Sequence, residues 1–144
     1  MMHEGSPLAT SRYQDHVIAH VVGATALGYF IIDDAAYVLL DIALVWTIYT
    51  DGEMALMPQA VVIHDLEVDD NLKAELMADV ERLHRGEADS ITRMSLAPAE
   101  CLIRDVKIYA HGEHRRVVLE GEEASLCIER LPETGEIRIN SFQS

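Results

Sequence analysis

Apolar and polar side chains alternate most regularly after Pro98, in four stretches separated by turn-forming residues. Glu100 to Ala110, Arg115 to Glu120, Ala124 to Arg130 and Glu136 to Asn140 are rich in β-branched residues. His111-Gly112-Glu113-His114, Gly121-Glu122-Glu123 and Pro132-Glu133-Thr134-Gly135 lie between them. This pattern predicts a four-stranded antiparallel β-meander. Its register places Val106 opposite Leu119, Ile108 opposite Val117, Val117 opposite Leu126, Leu119 opposite Ala124 and Ile128 opposite Ile139 on one apolar face. Glu129 then faces Arg138 on the other side, an exposed pair that contributes to alignment more than to stability. A slip of one residue would turn the apolar set outward, so the three hairpins share one buried face.

Upstream, Leu72, Leu76, Val80 and Leu83 recur at helical spacing, with Lys73, Glu75, Asp79 and Arg82 mostly off that stripe. They predict a helix from about Asn71 to Arg85, capped by Asp69 or Asp70, stopped by Gly86 and lying on a sheet. Residues 87–98 show no period and read as a connecting loop.

The first half is less regular. Ser11 and Gln14 suit a capping box, and Tyr13, Val17, His20, Val21 and Ala24 share a helical face, which predicts a helix from about Arg12 to Leu27 ended by Gly28. Strands follow at Tyr29 to Ile32, Tyr37 to Tyr49 and Glu53 to Met57, with turns at Asp33-Asp34 and Asp51-Gly52 and a short further strand from Val61 to His64. Both parities of Tyr37 to Tyr49 are largely apolar, so that long strand is expected at the centre of a sheet, covered on both faces. A rival reading makes Tyr37 to Thr50 a second helix; the density of β-formers in Val45 to Thr50 favours the strand. The fold class is therefore α+β, an antiparallel sheet with a C-terminal four-stranded meander and two helices packed on it. Residues 1–10 read as a flexible N-terminal segment and 11–144 as one domain.

Composition narrows the partners. The 144 residues carry a net charge of −14, distributed as 11 acids and one base in residues 1–72 and 14 acids and 10 bases in 73–144. That field repels nucleic-acid phosphates and anionic lipid, so neither nucleic acid nor membrane is expected as a partner. The apolar runs Val17 to Ile32 and Ala35 to Tyr49 fall short of a span and are interrupted by His20 and Asp41. Cys101 and Cys127 lie inside predicted strands as small buried hydrophobes, and Met1 to Thr10 lacks a secretory pattern, which together read as cytoplasmic.

Three groups of residues could carry chemistry. Asp41 interrupts an apolar run, and if desolvated it could serve as an acid or base; the bland alternative is a carboxylate meeting a backbone donor. Tyr29, Tyr37, Trp46 and Tyr49 lie in the same half, which holds six of the eight aromatics, and could line a ligand pocket with Asp41 at its floor or simply fill a core. His16 and His20 stand four apart on the first predicted helix, which is half a metal site or an ordinary surface pair. His111 and His114 read as turn residues with solvated rings. Gly-x-Gly-x-x-Gly, phosphate-loop, Gly-x-Ser-x-Gly and Cys-x-x-Cys signatures are missing from the sequence. No catalytic residue or cofactor is assigned, and whether the protein is an enzyme stays open. The favoured function is a non-catalytic binding or interaction protein, self-associating to cover its apolar surface, with a small molecule as a further partner. The alternatives are a small enzyme built around Asp41 and a metal-binding protein using His16 and His20.

Overall fold

The computed structural model describes residues 6–7, 12–41, 44–49, 55–56, 61–97, 101–111, 114–131 and 133–143. Its elements in chain order are β1 (Ser6–Pro7), α1 (Arg12–Val21), β2 (Ala26–Ile32), β3 (Ala35–Leu40), β4 (Val45–Tyr49), β5 (Ala55–Leu56), α2 (Asp70–His84), β6 (Ser95–Leu96), β7 (Ile103–His111), β8 (His114–Gly121), β9 (Ala124–Arg130) and β10 (Ile137–Gln143). The strands form two antiparallel sheets, ordered β5-β4-β3-β2-β6 and β1-β7-β8-β9-β10. The fold is α+β, and the second sheet contains the C-terminal meander.

Two cores define the layers. Val38, Leu40, Trp46 and Ile48 of the first sheet meet Val106, Ile108, Val117, Leu119, Leu126 and Ile128 of the second, with Val17, Ile18 and Val21 of α1 joining them. The opposite face of the first sheet, with Phe30, Leu39 and Val45, packs against Leu72, Leu76, Val80 and Leu83 of α2. The central strands are therefore covered on both faces, as their apolar parity requires. That cover comes from the chain itself, so the wish to hide β3 and β4 no longer argues for a second copy.

The single long strand expected from Tyr37 to Tyr49 is a hairpin. The chain turns after Leu40, whose N–H donates to the Leu44 carbonyl at 2.8 Å, and β4 returns with Trp46 opposite Val38. The hairpin pairs residues of like parity, so Val38, Leu40, Trp46 and Ile48 still share a face. A strand and its own hairpin thus give the same alternation in sequence.

The first helix is shorter than its pattern. It ends at Val21, with Gly23 in the left-handed region at φ 96, where a glycine carries no Cβ penalty. The next residues bond to the second sheet, Gly23 N–H to the Ile103 carbonyl and Ala26 N–H to that of Cys101, which draws 23–26 out of helix and lengthens β2 toward its N-terminus. Helix α2 matches its pattern closely: Asp69 caps it through the N–H groups of Asn71 and Leu72, and Gly86 follows at φ 75.

The meander keeps the predicted face but not every partner. Val106 faces Leu119, Ile108 faces Val117, Ile128 faces Ile139 and Glu129 faces Arg138 as expected. Between β8 and β9, however, Val117 faces Ile128 and Leu119 faces Leu126, two residues from the predicted pairing. A slip of two preserves which side chains point inward, so alternation could not detect it. Val61 makes a bridge to Val45 and the chain then enters a turn of 3₁₀ helix, Ile63–Asp65, in place of a short strand. Ser6–Pro7 pairs with β7, while the Asp51-Gly52 turn lies outside the described residues. No helix among the described residues is long and apolar enough to cross a membrane.

Candidate functional site

The stretch 87–98, which reads as loop, is held from within by one carboxylate. Asp79 is fully buried on α2 and accepts hydrogen bonds from the backbone N–H groups of Thr92 at 3.0 Å, Arg93 at 2.7 Å and Met94 at 3.0 Å. Arg82, one helical turn on, adds a guanidinium bond at 2.9 Å. Burial by itself raises the Asp79 pKa, but the Thr92, Met94 and Arg93 N–H groups and the Arg82 guanidinium outweigh it, and the group lies below the ordinary aspartate value. A buried charge is tolerable here because both carboxylate oxygens face donors.

The clamp also sets the path of the chain beyond it. Met94 is driven into the core between α2 and the first sheet, and β6 then pairs with β2 at Gly28 and Tyr29. Beyond that pairing, Phe30, Ile31 and Ile32 form one wall of a solvent-open cleft of about 240 Å³, whose other lining residues are Leu72 and Leu76 of α2 and Arg93. Aliphatic and aromatic residues thus share the cleft with polar atoms, the Arg93 cation among them. Arg93 gives its Nε to the Glu75 carboxylate, which keeps the guanidinium cationic by raising its pKa further. Among the described residues no other acceptor takes its two Nη groups. The Arg93 backbone is thus held by Asp79, and its half-exposed side chain pairs with Glu75 beside the cleft.

The residues singled out in the sequence fall in several places. Asp41 is exposed in the β3–β4 turn, where its Oδ1 accepts the Thr25 N–H at 3.0 Å while its own N–H donates to the Thr25 carbonyl at 2.9 Å. It joins the two sheets' connecting segment to the end of β3. Trp46 is fully buried between the sheets and Tyr29 packs at the same core, whereas Tyr37 points to the opposite face of the first sheet. Tyr49 is exposed at the end of β4. Those four aromatics therefore do not enclose one pocket with Asp41. Tyr37 comes nearest to the cavity, since its ring stacks flat on Phe30 with centroids 4.8 Å apart. Burial raises the pKa of its hydroxyl, and the charges of Tyr49 and Asp33 add to that.

His16 and His20 do meet, on the exposed face of α1, with their Nε2 atoms 3.3 Å apart. His114 is not a solvated turn residue: its Nε2 lies 3.0 Å from Glu129 on β9 with both side chains largely buried, because the outer face of the meander is lined by long neighbours such as Arg116 and Tyr109. Both cysteine thiols are free and buried, and Cys127 is pushed up to about 11 by burial and by Glu129, against the pull of Arg116.

Sequence reasoning missed Asp79 and Arg93. The signal for Asp79 was its place on the buried side of the stripe, three residues after Leu76 and one before Val80. An acid there must find donors, but the sequence does not say which part of the stretch after Gly86 supplies them. Comparison with protein-family models, curated proteins and solved structures finds no match. The site is accordingly read from its own chemistry.

Proposed function

We propose that this chain is a non-catalytic binding protein that takes a compact amphipathic anion in the cleft between α2 and β2. The apolar body of the ligand fills the space between Phe30, Ile32, Leu72 and Leu76, and its carboxylate or comparable group meets the Nη edge of Arg93. One observation carries this reading: an arginine whose backbone is clamped by a buried aspartate lines an open cleft of about 240 Å³ that it shares with the side chains of Leu72 and Leu76 and with residues 30–32 of β2. A space of that size lies below the roughly 300–1,000 Å³ of ordinary small-molecule sites and so limits the ligand to a short chain. The net charge of −14 disfavours anions at a distance, so selectivity rests on the local bidentate geometry that a guanidinium provides.

The test is a nitrogen–proton correlation titration with octanoate and, in parallel, octanol. Octanoate is expected to shift the amides of Phe30 to Ile32, Leu72, Leu76 and Arg93, and Arg93→Gln is expected to reduce its affinity to that of octanol. Absence of shifts at these amides with either probe, or an octanoate affinity unchanged in Arg93→Gln, would overturn the assignment.

A further inference from the structure

We infer that His16 and His20 together bind a late first-row divalent cation, of the zinc, copper or nickel class, on the exposed face of α1. The inference is independent of the cleft. Residues four apart on a helix lie one above the other, and here the two imidazoles converge until their Nε2 atoms are 3.3 Å apart, with ring planes at 86°. Two nitrogens bound at about 2.0–2.1 Å to one tetrahedral ion are themselves separated by about 3.3–3.4 Å. The pair thus already has the bite of a bidentate ligand, and when an ion binds, the Nε2 proton of the donating ring moves to its own Nδ1 so that both Nε2 lone pairs face the metal.

Imidazole nitrogen selects zinc, copper and nickel over magnesium and calcium, which prefer oxygen. The described residues contain no cluster of three or more potential metal ligands, so the pair supplies two coordination positions and the others go to water or to the same pair on a second copy. Ala19 and Arg12 are exposed on the same helix. Both histidines lie outside the two hydrophobic cores, so they can be replaced without loss of packing.

Zinc titration of the whole chain by calorimetry tests this, with circular dichroism to verify folding of each variant. His16→Ala and His20→Ala are each expected to weaken zinc binding by about tenfold or more. His84→Ala, at an exposed position on α2, is expected to leave it unchanged. One zinc per chain, or one per two chains with a zinc-dependent dimer in sedimentation, supports the site. No zinc uptake at sub-millimolar concentration, or equal uptake by wild type and the His16→Ala/His20→Ala double variant, would sink it.

Discussion

Asp79 accepts three backbone N–H groups and an arginine while wholly removed from water, and deleting it strands all of those donors. Asp79→Ala is expected to cost about 3 kcal/mol or more, because buried donors lose their acceptor and Arg82 its counter-charge. Acid has the same target. The folded-state pKa of Asp79 is depressed, so its contribution is fully present above the unfolded carboxyl pKa of about 3.9 and is lost as the pH falls below that toward the lower folded value. Urea unfolding of wild type and Asp79→Asn should accordingly differ most at pH 7 and converge as the pH is lowered below about 4. A constant difference across that range would show that the carboxylate charge is not what the loop backbone recognises.

At the scale of elements, tight turns decide register where alternation cannot. A Cβ on Gly121, the last residue of β8, would lie 1.9 Å from the Ala124 carbonyl oxygen and 3.4 Å from the Cys101 Cα. The Gly121 N–H also donates to Ser125 Oγ at 3.2 Å, and Glu122 N–H to the Leu102 carbonyl at 3.2 Å. These bonds seat the turn against β7 and set Leu119 opposite Leu126. Gly121→Ala is therefore expected to destabilise the fold by about 1–3 kcal/mol through overpacking of backbone on backbone, read as a lower thermal midpoint. An unchanged midpoint would place the chain reversal elsewhere. The other elements were legible to different degrees. The stripe of α2 and its Asp69 cap could be read locally, whereas the end of α1 could not, since Ala24 and Ala26 suit a helix until Cys101 and Ile103 claim their backbone groups. The candidate cleft was harder still: Phe30, Leu72 and Arg93 are far apart in sequence, and nothing local marks them as neighbours.

For the molecule as a whole, the two sheets share one core and are tied again at the surface, where Arg130 of the meander meets Asp34 of the β2–β3 turn at 3.2 Å. Trp46 reports on the first sheet and the Cys127 thiol on the second, both from positions shielded from solvent. Loss of tryptophan burial and exposure of Cys127 to a thiol reagent are expected at a single denaturant midpoint, since neither sheet can bury its inner face without the other. Two separated midpoints would mean that each sheet is stable alone.

The amino-acid order settled what depends on neighbours in the chain: which segments alternate, which residues of the meander point inward, where α2 begins and stops, and that both faces of β3 and β4 must be covered. Only the tertiary structure decided how those segments meet. It turned an apparent long strand into a hairpin, set the β8–β9 register two residues along, placed α2 against the first sheet, and put Arg93 over a cavity by way of a buried carboxylate. The physical reason is common to all four. A two-residue periodicity is unchanged by a reversal of direction or an even slip, and hydrogen bonds between distant backbones leave no mark on local composition.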